Sequence, residues 1–378
     1  MKVIKNAKVF NGEAFIPISA VAFCDGIVTR LYENYAGSDA YDAGGAILAP
    51  GFVDLHIHGS FGKDVLMAGG TQHLMENLPS VGTTSFCPTS ATAPFEMITD
   101  FLGEVAALID LEQGTRILGA HIEGPFFTER NRGAHATELL KDPTIANYEK
   151  IVGEYEDVVL RLSLAPELPG GMELISKLAT EDVVLSAAHT DAMAGDMEEA
   201  ISRGLTMATH TFNGFFPVHH REENGIAAVL TDDRIICEFI PDLQHISKYA
   251  ARLIMAAKGY EKTFICSDAL APAHMPDGEY MLSTTPIVVK DAVATIKADG
   301  RLAGSTISVL QGVKKLVEIM KTPLDKALRM GTLNPARAIE SDFLGKITVG
   351  AAADFVLLDP STLDLKQTYI RGHLEYEA

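Results

Sequence analysis

The sequence predicts an α/β protein: a (β/α)8 TIM-type barrel with a small β domain formed by both chain termini. Three observations predict it. From residue 51 onward, short apolar runs alternate with helix-patterned stretches. β-rich segments stand at both ends of the chain. And 378 residues are too many for one small core but suit a large barrel beside a smaller unit. The expected division is 1–50 and 346–378 for the small domain and 51–345 for the barrel.

The first fifty residues carry no obvious catalytic group. "MKVIKNAKVF" leads into the turn "NGEA", and "AVAFCDGIVTRLYE" reads as strand, Asp-Gly turn, strand. The texture then changes. "TTSFCPTS" is followed by "FEMITDFLGEVAALIDLEQG", whose apolar residues recur at helical spacing. "RILGAHIEGPF", "VVLRLSLAPE" before "GMELISKLATED", and "VVLSAAHTDA" before "GDMEEAISRG" continue the series. "MATHTFNG", "IICEFIPDLQH" before "SKYAARLIMAAKG", and "TFICSDAL" complete it. Repeated strand-then-helix units imply parallel strands with crossover helices, and seven or eight of them make a barrel. The end, "GKITVGAAADFVLLDPSTLDLKQTYIRGHLEYEA", returns to alternation and turn signals.

Composition narrows the class of function. At 47% apolar and 21% charged, the chain is an ordinary globular sequence. Its formal net charge of −19 argues against a nucleic-acid partner, whose phosphates need Lys and Arg. Four cysteines, Cys24, Cys87, Cys237 and Cys266, lack CxxC spacing, which fits a reducing compartment. No apolar leader segment and no run of about 18 apolar residues is present, so a cytoplasmic protein without a membrane partner is expected.

Chemistry in such a barrel sits at the C-terminal ends of the strands. Polar residues end almost every apolar run there: His56 and His58, His121 and Glu123, His189, His210, His245 and Asp268. A single strand-end histidine is commonly a hydrogen-bonded structural residue, and a lone Asp or Glu can cap the next helix. Independent strand ends all carrying His, Glu or Asp are hard to explain as caps. Strand alternation also sends His56 and His58 to one face. Together they point to a metal centre, and imidazole with carboxylate suits Zn, Fe or another first-row divalent ion. Cys266 would point with Asp268 and is the one thiol near the set.

"PGFVDLHIHG", "GAHIEGPF", "AAHT", "THTFN", "SDA", "LAGST" and "NPARAI…GKITVGAAADFVLLD" occur in the order seen in the amidohydrolase superfamily. The chain most resembles the N-acetylglucosamine-6-phosphate deacetylase family over its whole length, "HIEGPF" followed by "RGAH" being the specific part. The resemblance implies that the small domain is a β-sandwich, and that the N-acetyl group of a 6-phosphorylated amino sugar is hydrolysed. It implies Glu123, His189 and His210 as ligands of one divalent ion, with His56 and His58 where some members hold a second. It implies Asp268 as general base and acid. It implies substrate contacts from Ala134, His135, Asn213, Gly214, His245, Leu302, Ala303 and Gly304. Arg221 matches an arginine that reaches phosphate across a homodimer interface, and an Arg fork suits phosphate.

Three loops depart from the family pattern: "NGFFPVHH" where Asn-Ala is common, "REENG" with an extra residue and no proline, and "DLQH", where Leu243 replaces a glycine. All are expected near sugar or phosphate. The deacetylation groups are intact, so N-acetylgalactosamine 6-phosphate or a related sugar stays open as the substrate. Another amidohydrolase, acting on an N-acyl or cyclic amide, and a scaffold that has lost the reaction are the competing readings. Retention of Glu123, His189, His210 and Asp268 speaks against the last.

Overall fold

The structure, a computed structural model, describes residues 1–378. Eight parallel strands form the barrel: Phe52–Ile57, Thr83–Ser90, Ala120–Glu123, Val159–Leu164, Val184–Ala187, Met207–Ala208, Ile236–Phe239 and Thr263–Ile265. The third is preceded by a two-residue piece, Arg116–Ile117, on the same neighbour. The ring closes where Asp268 N–H donates to His56 O and His58 N–H donates to Ala269 O, both at 2.9 Å. Every residue of Phe52–Ile57 and Thr83–Ser90 is buried, as parallel strands covered on both faces require.

The crossover helices bury one stripe each. Gly171–Leu178 buries Leu174, Ile175 and Leu178, at helical spacing. Three helix starts are fixed by side-chain caps: Thr144 accepts from Asn147 N, Asn224 from Ile226 N, and Ser247 from Ala250 N. Ser308 and Gln311 form a reciprocal capping box at Val309–Glu318.

The terminal segments form two further sheets. One has four strands, drawn from residues 2–42; the other has six and pairs Ile47–Pro50 with Phe355–Leu358. The "CDGI" hairpin is as the sequence reads, with Asp25 at φ 50° and Gly26 at φ 76°. The central strands of the six-stranded sheet, Ile47–Pro50 and Phe355–Leu358, are buried on both faces. Leu48, Phe355 and Leu357 pack with Val21, Phe23 and Val28 between the sheets, while Ile47, Ala49, Val356 and Leu358 join the barrel's core.

One element is absent from the sequence reading. Gly278–Leu282, Thr285–Lys290 and Val293–Ile296 form a small antiparallel sheet after the last barrel strand. It has its own core of Leu282, Ile287, Val289 and Ala294 against Ala91, Leu270 and Ala303. No helix is long and apolar enough to cross a membrane.

Candidate functional site

A cleft opens at the C-terminal ends of the barrel strands. Its wall includes His58, Glu123, Ala134, His135, His189, His210, Asn213, Gly214, His245, Asp268, Leu302, Ala303 and Gly304. Of the residues expected in the site, three do not line it, His121 among them. His56 lies fully buried behind the wall, and Arg221 stands on an exposed loop. No Lys or Arg lines the cleft. Leu282, from the unforeseen small sheet, does.

Glu123 is the hub. Its Oε1 lies 3.0 Å from His210 Nε2 and 3.5 Å from His189 Nε2. Its Oε2 lies 3.1 Å from His58 Nε2, 3.6 Å from His56 Nε2 and 3.5 Å from His135 Nε2. Burial disfavours its charge, but His56, His189 and His210 hold its pKa well below the usual range. Asp268 Oδ1 stands 3.2 Å from His58 Nε2 and 3.5 Å from His56 Nε2. Burial opposes its charge too, and these two imidazoles lower its pKa, so it is a carboxylate at neutral pH. His189, His210 and Asp268 all sit at positive φ, at 46°, 28° and 47°. Such backbone is uncommon for these residues, and here it occurs where the strands end and the side chains must turn into the cleft.

Hydrogen bonds to the far ring nitrogens sort the histidines. His56 Nδ1 faces Glu238 Oε1 at 2.9 Å, and His58 Nδ1 faces Thr89 O at 2.9 Å. His189 Nδ1 faces Asn131 O at 2.7 Å, and His210 Nδ1 faces Asn213 O at 3.1 Å. Each partner can only accept, so each Nδ1 carries a proton and each Nε2 is the atom left for a ligand role. His135 is the reverse. Its Nδ1 accepts from Thr92 N–H at 3.2 Å, so Nε2 carries the proton. Burial pushes its pKa down to about 3, so it is a neutral donor. Its closeness to Glu123 and His189 therefore does not make it a metal ligand. His245 donates from both nitrogens, to Asp242 Oδ2 and Ala303 O, each at 2.7 Å. Burial opposes its charge, but Asp242 raises its pKa above the ordinary value.

A buried carboxylate ringed by four Nε2 atoms, each backed by an acceptor, fits a divalent cation. Burial works against the charge of His56 and His58. Nearby carboxylates nonetheless raise the pKa of His56 well above the ordinary value and that of His58 to about 9. A metal entering the site displaces those protons. Cys266 is held as a thiol by burial, then by Glu238 and Asp268, and supplies no thiolate. His121 lies deeper in the barrel. Its Nε2 meets Ser163 Oγ at 2.7 Å and its Nδ1 meets Thr89 Oγ1 at 3.2 Å, so it is a satisfied structural residue.

Two residues that the sequence reading passed over sit under this site. Glu238 and Arg161 are fully buried and pair at 2.6 Å. A charge inside each of two apolar runs, "IICEFIP" and "VVLRLSL", was the signal that could have found them.

Residues 47–375 match the amidohydrolase family. The chain is 30% identical to N-acetylglucosamine-6-phosphate deacetylase of Vibrio furnissii, over 98% of this chain and 94% of that one. It is 31% identical to N-acetylgalactosamine-6-phosphate deacetylase of Escherichia coli O157:H7, over 98% of both. Among solved structures, an aspartate-to-alanine variant of the Mycobacterium smegmatis N-acetyl-D-glucosamine-6-phosphate deacetylase, in complex with N-acetyl-D-glucosamine-6-phosphate, superposes with a TM-score of 0.91. Identity to it is 27%, over 99% of both chains. With the barrel, the strand-end histidines and the match in hand, the chain belongs to the amidohydrolase family, whose members are metal-dependent hydrolases.

Proposed function

We propose that this protein removes the N-acetyl group of N-acetylglucosamine 6-phosphate, giving glucosamine 6-phosphate and acetate. The observation that carries the reading is the conjunction of Glu123, His189 and His210 with an ionised Asp268 at one cleft. The similarity to deacetylases over nearly the whole chain supports it.

Glu123, His189 and His210 would hold the principal divalent ion, Zn or Fe, and His56 with His58 a second. Bound there, such an ion lowers the pKa of a water molecule and polarises a carbonyl oxygen. Asp268 takes a proton from the attacking water and returns it to the amine nitrogen as the C–N bond breaks. His135 offers its Nε2–H to a substrate oxygen, and neutrality keeps that proton in place. His245, locked by Asp242, presents the Ala303 backbone. Ala134, Asn213, Gly214, Leu302 and Gly304 supply the rest of the sugar contacts. Arg221 meets the phosphate of a substrate bound to the other copy in a homodimer. The two terminal sheets, sharing one core, make a small β-sandwich domain over 1–50 and 346–378.

A second substrate is favoured by one observation: the N-acetylgalactosamine-6-phosphate enzyme is as similar as the glucosamine one. Acetate release should be measured from both N-acetylhexosamine 6-phosphates and their unphosphorylated forms, with Zn, Fe or Mn. Turnover of N-acetylglucosamine 6-phosphate well above the others is expected. Equal turnover of the unphosphorylated sugars would sink the phosphate part of the reading. Release only from N-acylated amino acids would sink the sugar.

A further inference from the structure

The carboxylate of Glu238 touches three groups at once, and no solvent reaches it. Its Oε1 lies 2.9 Å from His56 Nδ1 and accepts the backbone N–H of His210 at 2.9 Å. Its Oε2 accepts from Arg161 Nη1 at 2.6 Å. Arg161 is itself fully enclosed. Its Nη2 donates to Ser186 Oγ and Thr209 Oγ1, its Nη1 also reaches Leu55 O, and its Nε has no partner, so Glu238 is its only counter-ion. The pair thus joins His56 to the backbone of His210, on the strand ending opposite.

We infer that Glu238, kept in place by Arg161, is a positioning residue that fixes the proton of His56 on Nδ1 and so reserves Nε2 for a metal ion. The inference rests on the proposed ligand role of His56. Donors and acceptors decide the tautomer. An ionised carboxylate can only accept, so the nitrogen facing it must donate. His56 Nε2 then points at Glu123, His58 and Asp268, where the ion would sit. The same oxygen grips the His210 N–H, where φ is 28°, and so sets the strand end that aims His210 Nε2 at Glu123.

An amide in place of the carboxylate breaks this logic in a specific way. In Glu238→Gln, Arg161 is always charged and has no other counter-ion, so it claims the amide oxygen. The amide NH2 then faces His56 Nδ1 and the His210 N–H. To avoid two facing donors, His56 must move its proton to Nε2, which removes the ligand lone pair. Deleting the guanidinium as well, in Arg161→Met/Glu238→Gln, frees the amide oxygen to turn back toward His56.

Zinc affinity and stoichiometry of the metal-free full chain, measured by chelator competition at pH 7.5, test this. His56→Asn serves as the ligand control and circular dichroism as the folding control. Glu238→Gln should weaken zinc binding about 10- to 100-fold, the usual effect of losing a metal ligand's hydrogen-bond partner. The double variant should recover most of that loss. If His56→Asn binds zinc like the wild type, the ligand role fails and the inference falls with it. If His56→Asn loses zinc while Glu238→Gln does not, the ligand role stands and the positioning role is wrong. A double variant weaker than Glu238→Gln would mean that the pair merely supports the fold. Should Glu238→Gln not fold, the 15N spectrum of the zinc-loaded, histidine-labelled wild type decides. A proton on His56 Nδ1 is expected; a proton-free Nδ1 overturns the inference.

Discussion

Asp268 can be tested by removing its charge while keeping its shape. Asp268→Asn should retain bound metal, because Glu123 and four imidazoles remain, yet lose turnover about 10²- to 10⁴-fold. Metal analysis beside steady-state kinetics checks both halves, and near-normal turnover would end the role assigned to it. The Asp242–His245 pair gives a pH prediction. Burial opposes both charges, but the pairing depresses Asp242 below 3.8 and raises His245 above 6.5. A depressed carboxylate contributes stability above its unfolded pKa and loses it in acid. A raised imidazole contributes below its unfolded pKa and loses it as pH rises through the folded value. The pair is therefore fully effective between roughly pH 4 and 6.5. The melting-temperature gap between wild type and His245→Gln should be widest there and shrink toward pH 9. At this scale much of the site was legible in the sequence, because each ligand type ended an apolar run. His135 was legible only through resemblance, and its tautomer not at all, since Thr92 lies 43 residues away. Glu238 and Arg161 stayed hidden because one charge in an apolar run does not announce its partner. Leu243 shows the opposite case. The structure places it at φ 68°, so the backbone takes the left-handed turn that favours a glycine although a leucine stands there.

Among the elements, helix Val309–Glu318 offers a clean measurement. Neither residue of its capping box lines the cleft. Ser308→Ala should lower stability by about 1 kcal/mol and leave kcat unchanged; denaturant melts and kinetics would check both. The crossover helices were legible because their apolar residues recur every three to four positions. The small antiparallel sheet was not. Its second turn is Asp291-Ala292, both at positive φ, at 51° and 60°. That is the geometry of a tight hairpin without the Asn-Gly or Asp-Gly spelling that signals one. Its first turn, at Ser283 with φ 49°, is equally unmarked. An insertion of this kind breaks the strand-then-helix rhythm without leaving a turn residue to mark it.

At the scale of the whole molecule, metal and fold should be coupled. Stripping the protein with a strong chelator should abolish activity and lower the melting temperature, because an ion held only by the folded site adds its binding free energy to stability. Adding back Zn, Fe or Mn should restore both. The barrel and the twin-terminus unit were legible from rhythm alone. The double-sided burial of the six-stranded sheet's central strands was not, since Ile47–Pro50 and Phe355–Leu358 read as unbroken apolar runs whose two faces look alike. The absence of Lys and Arg from the cleft lining has a consequence for selection. The chain is strongly acidic, and no Lys or Arg lines the place where the bond breaks. Apart from the proposed metal and the imidazole of His245, the lining offers an anion no cationic side chain, so a phosphate held away from the metal must find its guanidinium outside the cleft lining. The protein then acts as a gauge of length. It favours molecules long enough for the amide to reach Glu123 and Asp268 while the phosphate clears the lining that holds no Lys or Arg.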